Sequence, residues 1–136
     1  MTYSMFESAL TVRPDDIDMN NHVHFSKYLD YVLAARYDQM KRCYGMAMEE
    51  FIARGFMWVV KSCQIDYKRP LGLGDSIIIR TGIDGLTITN AFVRFEILRS
   101  DNRKIVADGR FEYTLVRLDT GRAETIPEDV IKHYSV

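Results

Sequence analysis

A single long helical pattern over residues 24–43 dominates the sequence. Apolar side chains recur there at helical spacings, and neither proline nor glycine interrupts the run before Gly45. The apolar positions are Phe25, Tyr28, Leu29, Val32, Ala34, Ala35 and Met40. A helix with this much apolar surface has to be covered on more than one side. Arg36 lies on the apolar side of this helix, so we expect a carboxylate partner for it in a buried ion pair.

The remainder of the chain is typical of β-strands. Alternating or β-branched runs predict strands at residues 6–13, 56–68, 76–83, 90–99 and 104–118. Pro14 ends the first strand, and Asp84-Gly85 predicts the turn after the third. Residues 46–54 and a segment beginning at Pro127 predict two short helices. One strand, a long helix and four strands joined by short turns predict an α+β fold, with an antiparallel sheet against one helix.

The length, charge and cysteine content limit what the chain can be. Its 136 residues fit one domain, predicted here as residues 1–136. The net charge of −1, without a basic block, argues against a nucleic-acid partner. No apolar stretch approaches the roughly 20 residues that span a bilayer, so no membrane insertion is expected. The chain starts without a secretory signal pattern, and Cys43 and Cys63 lack a CxxC spacing, which together favour a reducing cytoplasm.

The densest group of chemically active side chains lies just before the long helix. Residues 16–24 read Asp-Ile-Asp-Met-Asn-Asn-His-Val-His, with two carboxylates, two amides and two imidazoles. The aspartates and asparagines can cap the helix, or Asp18, His22 and His24 can form a metal-binding set. A third interpretation is a catalytic site in which free N–H groups at the helix start form an oxyanion hole. No further histidine or cysteine lies nearby in the sequence, so no metal is expected.

Two motifs in the chain resemble those of a known enzyme family. Residues 16–23, followed by Tyr28-Leu29 and Ala35-Arg36, are similar to the D-x-D-x-x-x-x-V…Y-L…A-R signature of the 4-hydroxybenzoyl-CoA thioesterase and YbgC-like acyl-CoA thioesterase family. Residues 66–75 resemble its second landmark, a strand that ends in Y-x-R-P-x-x-x-G-D. The resemblance spans essentially the whole chain. It implies the hotdog fold, in which an antiparallel sheet wraps around one long central helix, and a homodimer or homotetramer, because family active sites lie between paired subunits.

The resemblance also implies roles for individual residues. Asp18 matches the family's catalytic aspartate, and the backbone N–H of Phe25 falls at the position of its oxyanion donor. The same loop is similar to that of plant acyl-ACP thioesterases, whose catalytic Asp, Asn and His match Asp18, Asn20 and His22. In that arrangement His22 orients Asp18 or the attacking water, and Asn20 polarises the carbonyl or holds a ligand amide. The implied activity is hydrolysis of an acyl thioester, and no cofactor is expected.

We expect the substrate to contact Tyr28, Trp58, Val60 and Asn90. The first three are aromatic or apolar side chains suited to an acyl pocket, although each is also an ordinary core residue. Asn90 lies in the turn formed by residues 86–90, where some family members carry basic residues and a serine for the phosphates of CoA.

Three positions depart from the family pattern. Asn21 stands where bacterial members often carry glycine, and Leu33 stands where several members carry glutamate. The turn over residues 86–90 (Leu-Thr-Ile-Thr-Asn) carries no basic residue and no serine. This last departure concerns the contacts with CoA more than the thioester chemistry.

Thioester hydrolysis makes modest demands on a site. The leaving thiol has a pKa of about 8.5, as for cysteine, so it departs with little help from an acid. The site needs an oxyanion donor and a group that activates water or attacks the carbonyl, and we expect Asp18 to do one of the two. The acyl group of the substrate can be attached either to CoA or to an acyl carrier protein. A non-catalytic acyl-thioester binding protein and a hydratase are the alternatives on the same fold.

Overall fold

The structure, a computed structural model, describes residues 3–136 as five strands and three helices. The strands are β1 (Met5–Thr11), β2 (Phe56–Tyr67), β3 (Ser76–Leu86), β4 (Asn90–Arg99) and β5 (Ile105–Arg117), and the helices are α1 (Lys27–Arg42), α2 (Met48–Ala53) and α3 (Glu128–Tyr134). A short 3-10 turn, Pro14–Asp16, follows β1. Residues 1 and 2 of the predicted domain lie outside the described residues, and its boundaries stay a prediction. No helix within residues 3–136 has the length and apolar character needed to cross a membrane.

The five strands form one sheet in the order β1-β3-β4-β5-β2, and every neighbouring pair is antiparallel. One face carries cross-strand ion pairs, in which Arg80 contacts Glu7 at 3.3 Å and Glu96 at 3.0 Å. β1 and β2 are the two edge strands. The α+β class predicted from the order of elements is confirmed.

The other face of the sheet packs against α1. Strand alternation places Ile77, Ile79 and Thr81 of β3 on that face, where each is fully buried. The buried side chains of α1 are Tyr28, Tyr31, Val32, Ala35, Arg36, Gln39 and Met40. They merge with the buried residues of β4 and β5 into one core, which fixes the start of α1 relative to the sheet.

The predicted start of the long helix at residue 24 is wrong, because α1 begins at Lys27. His24 and Ser26 form a local turn instead, in which the backbone N–H of Ser26 donates to His24 Nδ1 at 3.3 Å. Such bonds between a side chain and a nearby backbone compete with helical ones. The helix ends at Arg42, one residue before the predicted end at residue 43, and Gly45 follows with a φ of 71°, a conformation that favours glycine.

The predicted turn at Asp84-Gly85 is also wrong, because β3 continues through both residues to Leu86. A register shift between Ile83 and Gly85 absorbs one residue as a β-bulge, so the pairing with β4 resumes beyond it. The chain reverses after Leu86, where the backbone N–H of Thr87 donates to the carbonyl of Asn90 at 2.8 Å.

Candidate active site

The acidic loop, defined here as residues 16–26, connects the 3-10 turn to α1. The backbone N–H of His24 donates to the carbonyl of Asp16 at 2.9 Å, which closes the loop on itself. The N–H of Val23 donates to the carbonyl of Leu71 at 2.8 Å, which fastens the loop to the segment after β2. The motif at residues 66–75 therefore holds the motif at residues 16–23 in position.

Asp18 is held within the acidic loop by backbone donors. Its Oδ1 accepts hydrogen bonds from the N–H groups of Asn20 at 2.9 Å and His22 at 3.2 Å. Asn21 makes this turn possible with a φ of 59°, a left-handed conformation that asparagine tolerates better than most residues. In the described part of the chain no group donates to Oδ2, so one carboxylate oxygen is fixed and the other is available.

Asp16 has a structural setting, although it lies only two positions from Asp18. Its buried Oδ2 accepts hydrogen bonds from the Tyr31 hydroxyl at 2.6 Å and from Arg13 Nε at 3.1 Å. The Tyr31 hydrogen bond, supported by Arg13, lowers the pKa of Asp16 despite its burial. Burial, followed by the hydrogen bond to Asp16, raises the pKa of Tyr31 to about 12. This pair ties the start of the acidic loop to α1.

Phe25 presents its backbone N–H just before α1. Among residues 3–136 this N–H makes no hydrogen bond. The carbonyl of Phe25 accepts a hydrogen bond from the Tyr67 hydroxyl at 3.0 Å, which anchors the end of the loop to β2. Phe25 as a whole is 65% exposed. An accessible N–H at the start of a helix can stabilise a developing oxyanion.

The side chains of Asn20 and His22 are exposed and make no hydrogen bond with the Asp18 carboxylate. Both residues reach Asp18 only through their backbone N–H groups. The His24 imidazole contacts Ser26 instead, with Nδ1 2.8 Å from Ser26 Oγ. Within residues 3–136 no three His, Cys, Asp or Glu side chains are grouped closely enough to hold a metal ion.

Tyr28 lies beneath the acidic loop. It is buried and packs edge-on against Tyr67, with 5.1 Å between the ring centroids. Burial raises the pKa of Tyr28, and the negative charge of Asp18 adds to this effect. Of the predicted substrate contacts, Tyr28 is the one that the structure brings near Asp18. Tyr67 was not predicted, although its place in the second motif was a signal for it.

Trp58 and Val60 line a different feature, an apolar cavity of about 250 Å³ between α1, the sheet and α3, called the α1 cavity below. Leu33, Met40, Val93 and Val130 are among its other wall residues. Trp58 and Tyr67 occupy opposite ends of β2, about 30 Å apart at the usual rise of a strand. One chain therefore does not bring Trp58 and Val60 together with Tyr28 and Asp18.

Asn90 lies on the face of the sheet away from α1. Its neighbours Ala91 and Val93 line the α1 cavity, so strand alternation turns Asn90 outward. There Nδ2 donates to Glu112 Oε2 at 2.6 Å, and Oδ1 accepts from the Thr89 hydroxyl at 2.9 Å. The structure does not bring Asn90 together with the other predicted substrate contacts.

The ion pair expected for Arg36 is wrong. Arg36 is only 7% exposed, yet no described carboxylate lies within 4.0 Å of its guanidinium. Nη1 donates to the hydroxyl of Thr81 at 3.0 Å, and Cζ lies 5.2 Å from the ring centroid of Tyr44. The physical reason is that β3 presents a threonine to this position of α1. Arg36 also lines the α1 cavity.

Comparison with known proteins identifies relatives of this chain. The family described as the thioesterase-like superfamily matches residues 12–133. The long-chain acyl-CoA thioesterase FadM of Escherichia coli (strain K12) is 24% identical over 117 residues, which cover 86% of this chain and 87% of that protein. The 1,4-dihydroxy-2-naphthoyl-CoA hydrolase of Synechococcus sp. (strain CC9605) is 25% identical over 130 residues, 91% of this chain and 85% of that protein.

Solved structures share the whole fold. The hypothetical protein TT1821 of Thermus thermophilus has a TM-score of 0.87 and 26% identity, over 95% of this chain and 96% of that one. A 1,4-dihydroxy-2-naphthoyl-CoA thioesterase from Synechocystis has a TM-score of 0.86 and 17% identity, over 96% of both chains. The predicted hotdog arrangement is confirmed.

Proposed function

Because the chain belongs to the thioesterase-like superfamily, and is thus a thioester hydrolase, we propose that it hydrolyses acyl-CoA thioesters with Asp18 next to the reacting carbonyl. The observation that carries this proposal is the acidic loop, where one oxygen of Asp18 and the N–H of Phe25 have no hydrogen-bond partner among residues 3–136. The named activities of the two curated relatives, both on CoA thioesters, support CoA as the carrier.

The proposed chemistry assigns one task to each group. The thioester carbonyl oxygen accepts a hydrogen bond from the Phe25 N–H, which stabilises the negative charge that develops there. Asp18 Oδ2 either takes a proton from the attacking water or attacks the carbonyl carbon itself to form a mixed anhydride. The C–S bond then breaks, and the thiol leaves as a thiolate. On the second route a water molecule next cleaves the mixed anhydride, which releases the carboxylic acid and restores the Asp18 carboxylate. Asn20 and His22 hold Oδ1 through their backbone, while roles for their side chains in catalysis stay a prediction.

The Asp18→Asn variant tests the carboxylate. Asparagine keeps the acceptor oxygen for the two loop N–H groups but can neither take a proton nor attack. We expect kcat/KM on a panel of acyl-CoAs to fall by about 100-fold or more, with thiol release as the measurement. Asp15→Asn is the matched control, because Asp15 is an exposed carboxylate beside the same loop. Full activity of Asp18→Asn, with a normal circular dichroism spectrum, would exclude the proposed role of Asp18.

The Phe25 N–H is tested by a pair of substitutions. Phe25→Pro removes the N–H, whereas Phe25→Ala removes only the exposed side chain. We expect Phe25→Pro to be about 100–1,000-fold slower than Phe25→Ala, the usual cost of one oxyanion donor. Both variants are compared by thermal unfolding, so that a loss of fold is separated from a loss of the donor. Equal rates in two folded variants would place the oxyanion elsewhere.

An acyl-ACP thioesterase is a second candidate. It is favoured by the turn at residues 86–90, where no basic side chain is present to meet the phosphates of CoA. This candidate predicts faster hydrolysis of acyl-ACP than of the matching acyl-CoA.

We further propose that the working unit is a homodimer joined along β2. This strand has a free edge 12 residues long, with Met57, Val59, Val60 and Tyr67 each at least 40% exposed. Long apolar edges of this kind attract other strands unless they are covered. Antiparallel pairing of two copies about the middle of β2 would place the Trp58 end of one beside the Tyr67 end of the other. The two halves of the predicted substrate site would then meet across the subunits.

A further inference from the structure

The α1 cavity combines an apolar wall with one buried charge. Its volume of about 250 Å³ exceeds the roughly 150 Å³ of an engineered protein cavity that holds benzene. The wall is built mainly from aliphatic and aromatic side chains, and Arg36 is the residue in it that carries a charge. Arginine is always protonated in proteins, so this positive charge is permanent. Apart from the bond to Thr81, the guanidinium has no hydrogen-bond acceptor among residues 3–136.

A chain of oriented hydrogen bonds holds Arg36 in place. Arg36 donates to the Thr81 hydroxyl, which donates to Gln39 Oε1, and Gln39 Nε2 donates to Ser8 Oγ at 3.0 Å. The Ser8 hydroxyl donates to Asp38 Oδ2 at 2.7 Å. The chain therefore ends on a carboxylate, but that carboxylate lies at the surface and is also paired with Arg42 at 2.9 Å. Within residues 3–136, the positive charge at the cavity wall therefore has no direct counter-ion.

Tyr113 adds a second donor to the same wall. Its hydroxyl makes no hydrogen bond to any other part of the chain that the structure describes, whereas the Tyr134 hydroxyl donates to the carbonyl of Met46 at 2.8 Å. Burial raises the pKa of Tyr113 to about 12, so the phenol keeps its proton. A ligand oxygen that reaches Arg36 has both a guanidinium and a phenol within the same cavity.

We propose that the α1 cavity binds a carboxylate carried on an apolar body, with the carboxylate on Arg36. The apolar walls can hold a medium-length alkyl group or an aromatic ring, and the buried guanidinium donates a charge-assisted hydrogen bond to the anionic end. The desolvation cost of Arg36 is already met by folding, so a carboxylate gains more here than at an exposed arginine. Two kinds of ligand have this structure. One is a free carboxylic acid, such as a reaction product, and the other is an acyl thioester whose acyl group ends in a carboxylate.

Trp58 provides a direct measurement, because it is the only tryptophan of the chain and lines the cavity. The protein is titrated with octanoate and, separately, with octanamide, and the fluorescence of Trp58 is followed. We expect saturable binding of octanoate at least tenfold tighter than that of octanamide, a difference typical of one charge-assisted hydrogen bond. Arg36→Met, which replaces the guanidinium by an apolar chain, should reduce the preference to less than about twofold.

Several outcomes would overturn this proposal. Equal affinity for acid and amide in the unaltered protein would do so without any variant, as would an absence of saturable binding. A preference for the acid that survives in folded Arg36→Met would place the carboxylate elsewhere. If Arg36→Met does not fold, Arg36→Lys keeps the charge without the planar fork, and the acid and amide comparison in the unaltered protein still decides.

Hydrolysis assays identify the source of the carboxylate. That the cavity receives the acyl group rests on the proposed thioesterase function, whereas the fluorescence titration does not depend on turnover. If the acyl group supplies the carboxylate, kcat/KM for an eight-carbon acyl-CoA with a terminal carboxylate should exceed that for octanoyl-CoA about tenfold, and only with Arg36 present. If a free acid is the ligand, octanoate inhibits hydrolysis without such a preference. The Asp18→Asn variant separates the two proposals. Its binding of octanoate tests the carboxylate site in the α1 cavity, whereas its loss of turnover tests the catalytic role of Asp18.

Discussion

Asp16 and Asp18 lie two positions apart, yet their surroundings suit them to different tasks. Asp16 is buried, with Tyr31 and Arg13 on the same oxygen, so it is an acceptor that the fold uses. Asp18 is half-buried, and one of its oxygens has no hydrogen-bond partner in the part of the chain that the structure describes, so it is the carboxylate that a substrate could reach. We therefore expect substitution of Asp16 to lower stability and substitution of Asp18 to lower activity.

The Asp16–Tyr31 hydrogen bond yields a prediction on stability and pH. The Tyr31 hydroxyl and Arg13 hold the pKa of Asp16 below its ordinary value of 3.8, so the ionised carboxylate stabilises the fold. Tyr31→Phe should lower the free energy of unfolding at neutral pH by about 1.5–3 kcal/mol, the usual contribution of a hydrogen bond to a charged group. The Asp16 contribution is complete above its ordinary pKa and is lost as pH falls through the lowered folded-state pKa.

Urea unfolding of the unaltered protein and of Tyr31→Phe, from neutral pH down to about pH 3, measures this difference. We expect the gap between the two to be constant at neutral pH and to shrink in acid. Tyr37→Phe is the control, since the Tyr37 ring is 46% exposed. A gap that grows as pH falls would contradict the sign of the pKa shift.

At the scale of single residues the sequence indicated Asp18 but not how it is held. The Asn20 and His22 side chains were predicted to act, whereas the contacts with Asp18 come from their backbone N–H groups, which every residue type except proline would supply. Arg36 is a second residue whose contacts the sequence did not predict. Its burial followed from the helical pattern, but its partner depends on which residue β3 presents across the core, and that contact spans 45 positions of the chain.

The pairing of β2 with β5 depends on one glycine. Gly109 of β5 lies opposite Ile65 of β2 and Phe95 of β4. A methyl group at this position would overlap the carbonyl oxygen of Gln64 and lie 2.7 Å from the Phe95 ring. Gly109→Ala should therefore lower the free energy of unfolding by about 1–3 kcal/mol, the usual cost of overpacking.

The matched control is Gly85→Ala in β3, where the nearest atom to an added methyl group is on Phe92 at 3.8 Å, an ordinary contact. Urea unfolding of both variants is the measurement. Because β5 is the strand through which β2 joins the sheet, Gly109→Ala should also loosen the β2 edge. Equal stability of the two variants would show that the strands can separate at Gly109 without cost.

Elements were predicted from local pattern to within a few residues, and the errors have local causes. The helix start was placed too early because hydrophobic spacing does not register the hydrogen bond between Ser26 and His24. The turn at Asp84-Gly85 was predicted from the usual hairpin preference of that pair, whereas here a bulge continues the strand past it. Both competing structures depend on contacts that the pattern alone does not contain.

At the scale of the whole molecule, the two groups of predicted site residues lie far apart in one chain. Tyr28 and Asp18 lie near the Tyr67 end of β2, while Trp58, Val60 and the α1 cavity lie at its other end. The motifs predicted each group but not their separation, because the distance follows from the length of β2 in the folded sheet. Pairing along the β2 edges would give each active site an acidic loop from one copy and cavity residues from the other.

This dimer is tested at the middle of β2. Ser62 is exposed near the centre of the strand, so a two-fold axis there would bring the same residue of two copies close together. Ser62→Lys then sets two like charges against each other, an arrangement that destabilises strand pairs. Thr11→Lys is the control, since it places the same charge on the other edge strand, β1. Sedimentation velocity should find the unaltered protein and Thr11→Lys as dimers and Ser62→Lys as a monomer at the same concentration.

Because each proposed active site needs both copies, acyl-CoA hydrolysis by Ser62→Lys should fall with dissociation although Asp18 is intact. Full activity of Ser62→Lys as a monomer would contradict a shared site.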